Sequence, residues 1–268
     1  MQPYAIFMDI DGTLIDRTQI PTPATVAAIA KYRQAGHQFF IASGRPLFSA
    51  HAVATRIAPG LNIIGANGSI TAIADQVTSC HFTEAALIGI YRVAMTYGVR
   101  THFFTPTRVI FLDTPQLTIS WDARNRIAGE DPAKNVMVHS EAELLQYAAE
   151  ITNGFSVSPD DQARNAAKAA LAALPDIDVS SSNADNIEIT AHGVNKASAI
   201  KTVCRQLDIP LTHTMAFGDG DNDLQMLTTV HYGVAMGNAN PRIKAAVNYH
   251  TTDIHHDGVA TYLTQFFG

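Results

Sequence analysis

With 268 residues the chain can form one large domain or two modest ones, and burial of about 70–75% of its unfolded surface is expected at that size. An apolar share of 47% beside 16% charged residues excludes a disordered or fibrous chain and fits a soluble globular one. A net charge of −6 without any basic run argues against a nucleic-acid partner, while leaving room for one local cationic pocket that takes a small anion.

Cys80 and Cys204 stand far apart, form no CxxC pair and read as inert thiols of a reducing compartment. The opening MQPYAIFMDIDGT has no basic region ahead of an apolar one, so no signal peptide is expected. No uncharged apolar stretch reaches 18 residues, so no membrane span is expected either. The expectation is a cytoplasmic protein with no membrane partner.

The first 70 residues alternate strand and helix signals. Residues 4–8 (YAIFM) are an apolar run that ends in Asp-Ile-Asp-Gly-Thr. Helical spacing follows over 23–35, and Gly36 ends it. A second run, 37–42, ends in Ser-Gly-Arg-Pro, and 46–57 is helical. A third, 61–64, ends in Gly-Ala-Asn-Gly. Apolar runs separated by helices predict a parallel sheet buried on both faces. The pattern returns late, with a helix over 196–207, a strand over 214–217, a helix from 224, a strand over 232–236 and helices over 241–246 and 258–267.

The middle differs. It predicts helices over 84–97, 117–127, 141–149 and 160–174, a hairpin-like pair at 101–104 and 108–112, and strands at 136–139, 178–181 and 186–190. The fold class is therefore α/β: a Rossmann-like parallel-sheet core, 1–82 and 190–268, split by an α+β insertion, 83–189.

Four groups of residues sit where such a sheet places a site, beyond the carboxyl ends of its strands. Asp9 and Asp11 leave the first strand two residues apart. A carboxylate that both attacks phosphorus and ligates a hard cation such as Mg²⁺, with a second carboxylate to move the leaving-group proton, would need this pair. Gly12 lets the backbone approach phosphoryl oxygens. Ser43 and Gly44 offer a hydroxyl and backbone N–H groups to a phosphate, or simply a helix cap. Arg45 can reach substrate or cap its own helix. Lys196, at a helix start, can neutralise a transferring phosphoryl group or be an ordinary surface charge. Gly218-Asp219-Gly220-Asp221-Asn222-Asp223 puts acids on a tight turn suited to a divalent metal, without the spacing of an EF-hand. Asn67 can line the same pocket or only shape a turn. His250, His255 and His256 read as loop histidines rather than a zinc site.

Taken together, FMDIDGTL, IASGR, GVNK and AFGDGDNDLQML, with GANG in support, closely resemble the haloacid dehalogenase superfamily of phosphatases, in its Cof-type branch. The resemblance covers both core segments, roughly two-thirds of the chain. The middle matches that family's α+β (C2B-type) cap only in size, position and element order. The resemblance implies Asp9 as nucleophile, Asp11 as general acid and base, and Lys196 as the lysine that steadies both nucleophile and phosphate. It implies Ser43, Gly44, Arg45 and Asn222 as substrate contacts. Asp9, Asp11 and Asp219 would bind Mg²⁺, with Gly12, Asn67 and Asp223 in support. Asp221 falls at a variable position of the motif. The implied function is Mg²⁺-dependent hydrolysis of small phosphorylated metabolites through an aspartyl phosphate, with sugar phosphates favoured and phosphorylated cofactors as alternatives. A phosphomutase using the same intermediate, and a non-catalytic binding protein on the same fold, stay open. Within the insertion His102, Arg108, Asp113, Arg124 and Asn183 are candidate substrate contacts, and Trp121 reads as a packing residue.

Overall fold

The computed structural model describes residues 3–74, 76–114, 135–181 and 185–268. The expected helix over 117–127, with Trp121 and Arg124, and also Asn183, lie outside the described residues. The chain forms two compact units, Met1–Thr78 with Asn195–Gly268, and Ser79–Val194. The divisions fall at 78/79 and 194/195, against junctions expected near 82 and 190.

The discontinuous unit is a Rossmann-like α/β layer structure. Its strands are β1 (Ala5–Met8), β2 (Gln38–Ala42), β3 (Asn62–Gly65), β4 (Ile70–Ile73), β5 (Gln76–Ser79), β12 (Thr214–Gly218), β13 (Tyr232–Ala235) and β14 (Tyr249–His250). Among the described residues they form one sheet in the order β14-β13-β12-β1-β2-β3-β4-β5. Every pairing from β14 to β3 is parallel, and β4 returns antiparallel on β3. The β4–β5 extension was not expected from sequence.

Alternate residues of the parallel strands enter two cores. Ile6, Met8, Phe39, Ile41, Met215 and Phe217 pack with α1 (Pro23–Gln34), α2 (Leu47–Ile57) and α9 (Gly258–Phe267). Ala5, Phe7, Phe40, Ala42 and Ala216 pack on the other face with α6 (Lys196–Gln206), α7 (Leu224–Thr229) and α8 (Pro241–Ala246). Phe7 and Phe40 stack there with ring centroids 4.7 Å apart. Burial on both faces is why these strands read as continuous apolar runs rather than alternating ones.

The inserted unit is α+β. Its strands are β6 (Arg100–Phe104), β7 (Val109–Leu112), β8 (Val136–Val138), β9 (Asn153–Val157), β10 (Ile177–Ser180) and β11 (Asn186–Ala191), in the order β10-β11-β9-β6-β7-β8. One face packs Phe103, Ile110, Ile187 and Ile189 against α3 (Glu84–Tyr97), α4 (Glu141–Leu145) and α5 (Asp161–Ala172). The helix expected over 141–149 stops at Leu145 and tightens into i→i−3 turns at Tyr147 and Ala148. His102 is buried among Phe104, Phe111 and Phe155, and among the described residues neither ring nitrogen has a hydrogen-bond partner. Burial pulls its pKa down to about 3, so it is neutral at physiological pH. Arg108 pairs with Glu150 at 3.5 Å, and Asp113 with His139 at 3.0 Å.

The turn after β3 fixes the start of α6. Asn67 and Gly68 take left-handed backbone angles, φ 53° and 101°. A Cβ on Gly68 would overlap the carbonyl of Asn195, the residue that caps α6. Gly68→Ala is therefore expected to lower unfolding free energy by about 1–3 kcal/mol, measured by urea denaturation.

Candidate active site

Because the central strands are parallel, their carboxyl ends share one edge. The chain leaves β1 toward β2 and β3 on one side, while β12 and β13 lie on the other, so β1 sits at a topological switch point. Asp9 follows β1 directly and its N–H donates to Phe217 O of β12 at 3.0 Å. Gly218 ends β12 and Asp219 follows it, Ser43 follows β2, and Asn67 lies past β3. The sheet thus brings four separate loops to one place.

Lys196 enters from α6. Its cap is reciprocal: Ser198 N–H donates to Asn195 Oδ1 at 2.9 Å, and Asn195 N–H donates to Ser198 Oγ at 3.0 Å. The first turn is therefore fixed, and the Lys196 side chain is 1% exposed. Its ammonium donates to Asp9 Oδ1 at 2.5 Å and to Asp223 Oδ1 at 2.6 Å. The other Asp223 oxygen accepts the N–H groups of Asp219 and Gly220, each at 3.0 Å. The lysine is thus a buried charge, not a surface one.

Burial opposes the ammonium, yet Asp223 and Asp9 outweigh it and raise the Lys196 pKa above its ordinary value. Burial, then the charge of Asp223, pushes Asp9 well above the usual carboxylate range despite Lys196. Burial and Asp223 likewise push Asp219 up to about 6. Carboxylate oxygens of Asp9, Asp219 and Asp223 lie within 4.8 Å of one another. Three carboxylates facing one ammonium leave two negative charges when all are ionised, a balance that one divalent cation would close.

Asp219 is held from both sides. Thr13 Oγ1 donates to its Oδ1 at 2.9 Å, and Asn238 Nδ2 donates to its Oδ2 at 3.3 Å and to Gly12 O at 2.8 Å. Gly12, at φ 87°, has no room for a side chain, since a Cβ would overlap the Asp219 carboxylate. Thr13 closes the Asp-Ile-Asp-Gly-Thr motif but was given no role of its own there, and Asn238 lies in no recognisable acidic or phosphate motif.

Ser43 is buried, and its Oγ accepts the Arg45 N–H at 3.2 Å, which leaves its hydroxyl hydrogen free to donate. Gly44 lies between them. Asn67 N–H donates to Ser43 O at 3.0 Å, and Asn222 Nδ2 donates to Asn67 Oδ1 at 3.2 Å. Asp11 is exposed and grips Arg45 through both carboxylate oxygens, at 2.7 Å from Nε and 2.5 Å from Nη2. Asp221 turns away and accepts from Asn240 at 3.2 Å and Arg242 at 3.4 Å. Among the described residues Asp9, Asp219 and Asp223 are the one group of three metal-ligating side chains. His250, His255 and His256 take part in none.

The family model for haloacid dehalogenase-like hydrolases matches residues 6–263. The 5-amino-6-(5-phospho-D-ribitylamino)uracil phosphatase YcsE of Bacillus subtilis is 30% identical over 261 residues, covering 95% of this chain and 92% of that protein. A phosphoglycolate phosphatase of Methanothermobacter thermautotrophicus is 24% identical and covers 98% of this chain and 99% of its own. Among solved structures, the HAD subclass IIB sugar phosphatase BT4131 superposes with a TM-score of 0.82 at 25% identity, over 98% of each chain. With a match spanning nearly its whole length, the chain belongs to the haloacid dehalogenase-like hydrolases, in their Cof-type branch of phosphatases.

Proposed function

We propose that this protein is a Mg²⁺-dependent phosphatase that hydrolyses small phosphorylated metabolites, sugar or sugar-alcohol phosphates above all, through an aspartyl phosphate on Asp9. The observation that carries the reading is the buried Lys196–Asp9 contact beside Asp219. It supplies a fixed nucleophile next to a fixed positive charge.

Mg²⁺ would be held by the Asp9 and Asp219 carboxylates and the Asp11 backbone carbonyl; when bound it screens the phosphoryl oxygens from the attacking carboxylate. Lys196 fixes one Asp9 oxygen and leaves the other to attack phosphorus in line. As the P–O bond to the alcohol breaks, Asp11 gives the departing oxygen its proton. Asp11, now a carboxylate, takes a proton from water, whose oxygen attacks the same phosphorus. The bond to Asp9 then breaks, releasing inorganic phosphate and restoring Asp9. Ser43 Oγ–H and backbone N–H groups near it hold the phosphoryl group, and Asn222 stands across the site, steadied by Asn67. Lys196 disperses charge on the transferring group, as phosphate monoesters, among the most inert of substrates, demand.

The substrate class draws support from two similar proteins, one acting on a phosphoribityl compound and one named a sugar phosphatase. A cytoplasmic setting is part of the same proposal and fits two free cysteines.

Phosphate release from 4-nitrophenyl phosphate should need Mg²⁺, stop with chelator and fall by at least ~10³-fold in Asp9→Asn, since a carboxamide cannot form the intermediate. Undiminished turnover in Asp9→Asn would overturn the mechanism. A second expectation concerns stability. Asp219 is shifted from 3.8 up to about 6 in the folded protein, so its protonated form favours folding below pH 4, and that contribution is lost as pH rises through 6. The melting temperature in chelator should fall relative to that in Mg²⁺ across this interval. The increment given by Mg²⁺, followed by differential scanning fluorimetry, should widen from pH 4 to 7; a pH-independent increment would count against a metal at these carboxylates.

A further inference from the structure

Gln19 belongs to no motif, yet it is held in an unusual state next to the proposed acid and base. Its backbone is left-handed at φ 61°, a conformation a long side chain adopts only when its surroundings impose it. Its N–H donates to Asp16 O at 3.1 Å, its Nε2 donates to the same oxygen at 3.2 Å, and its carbonyl accepts Arg56 Nη1 at 3.0 Å. Anchored in this way, its Oε1 accepts Arg45 Nη2 at 2.6 Å. The same guanidinium carries the two-pronged contact to Asp11.

Three Arg45 N–H donors, of the five a guanidinium offers, are thus committed to Asp11 and Gln19. Nη1 lies 3.5 Å from Ser49 Oγ. An exposed ion pair by itself is worth only ~0–1 kcal/mol and would not hold one geometry. A planar fork fixed from behind by an amide oxygen does hold one, because the guanidinium can no longer swing. We infer that Gln19 is a positioning residue: it immobilises Arg45, and Arg45 sets the plane of the Asp11 carboxyl for proton transfer. Arg45 then serves Asp11 rather than the substrate's phosphate. The inference rests on the phosphatase reading and on Asp11 as the proton donor.

The test uses leaving groups. kcat/KM reports steps through transfer of phosphorus to Asp9, the step in which a poor leaving group needs its proton. For 4-nitrophenyl phosphate the departing phenolate needs little help; for an alkyl phosphate such as glycerol 3-phosphate the departing alkoxide needs a great deal. In Gln19→Ala, kcat/KM on the alkyl ester should fall ~10–10²-fold and on the aryl ester less than ~3-fold. Gln19→Glu, which keeps an acceptor oxygen for Arg45, should recover most of the alkyl activity, and Arg45→Lys, which loses the fork, should resemble Gln19→Ala. The ratio between substrates is independent of how much variant folds. An unchanged ratio in Gln19→Ala overturns the positioning role, as does equal loss on both esters, which would mark a general grip on phosphate or structure. Asp9→Asn run alongside separates the two levels: if it retains activity the phosphatase mechanism fails, and if it is inactive while the ratio is unchanged only the role of Gln19 fails.

Discussion

The structure around the site depends on one buried cation. Lys196 sits beneath the surface between Asp9 and Asp223, and the three side chains come from the end of β1, the start of α6 and the loop after β12. Taking charges out of water costs several kcal/mol per ion, which only close partners and further hydrogen bonds offset. Removing one partner of such a group typically costs ~3–5 kcal/mol, a large part of the ~5–15 kcal/mol that holds a domain folded. The segments that assemble the site are therefore also segments whose meeting is enforced by electrostatics. The discontinuous unit closes around the lysine, and the proposed nucleophile, Asp9, is placed as a consequence.

The proposed proton-transfer group is built differently. Asp11 is two residues from Asp9 but lies at the surface, with its side chain 54% exposed. Its partner Arg45, with 21% of its side chain exposed, is positioned by hydrogen bonds to Asp11 and Gln19. These contacts fix the orientation of the Asp11 carboxyl, whereas burial and charge fix the Lys196 triad. The proposed phosphoryl transfer asks for both: an attacking oxygen held in place, and an acid whose plane is set toward the departing oxygen.

Much of this was legible in the sequence, for physical reasons that also explain what was not. Parallel strands buried on both faces read as apolar runs, and the chemistry lies where each run stops, so Asp9, Ser43, Asn67 and Asp219 could be found from local pattern alone. Lys196 could be located but not its burial, because one lysine at a helix start looks the same whether solvated or enclosed. Asn238 and Gln19 were silent, and Thr13, though inside the first motif, gave no sign of its partner. Thr13 meets Asp219 across 206 residues and Asn238 meets Gly12 across 226, separations that no local pattern encodes. In the inserted unit β9 went unread although it lies inside the sheet, since Asn153-Gly154 is a poor strand opening on propensity. Gly154 is tolerated there because the Phe103 ring of the neighbouring strand packs over it. The β4–β5 extension was missed because β5 is exposed throughout and carries no apolar alternation.

The acidic cluster also illustrates how hydrogen bonding sorts carboxylates that proximity alone cannot. Asp9, Asp219 and Asp223 each bring a carboxylate oxygen within 4.8 Å of the others. Asp223 is nonetheless saturated: one oxygen accepts Lys196, and the other accepts two backbone N–H groups of its own loop. A cation there would have to displace contacts that hold both the lysine and the turn. Asp9 has one oxygen committed to Lys196, and Asp219 accepts only neutral donors, a threonine hydroxyl and an asparagine amide. Neutral donors compete with a metal less than a buried ammonium does, and each oxygen retains a second lone pair. The burial that lifts Asp219 to about 6 without a metal then has a plain meaning. It reflects a cluster that tolerates its own negative charge poorly, which a proton or a bound cation would relieve.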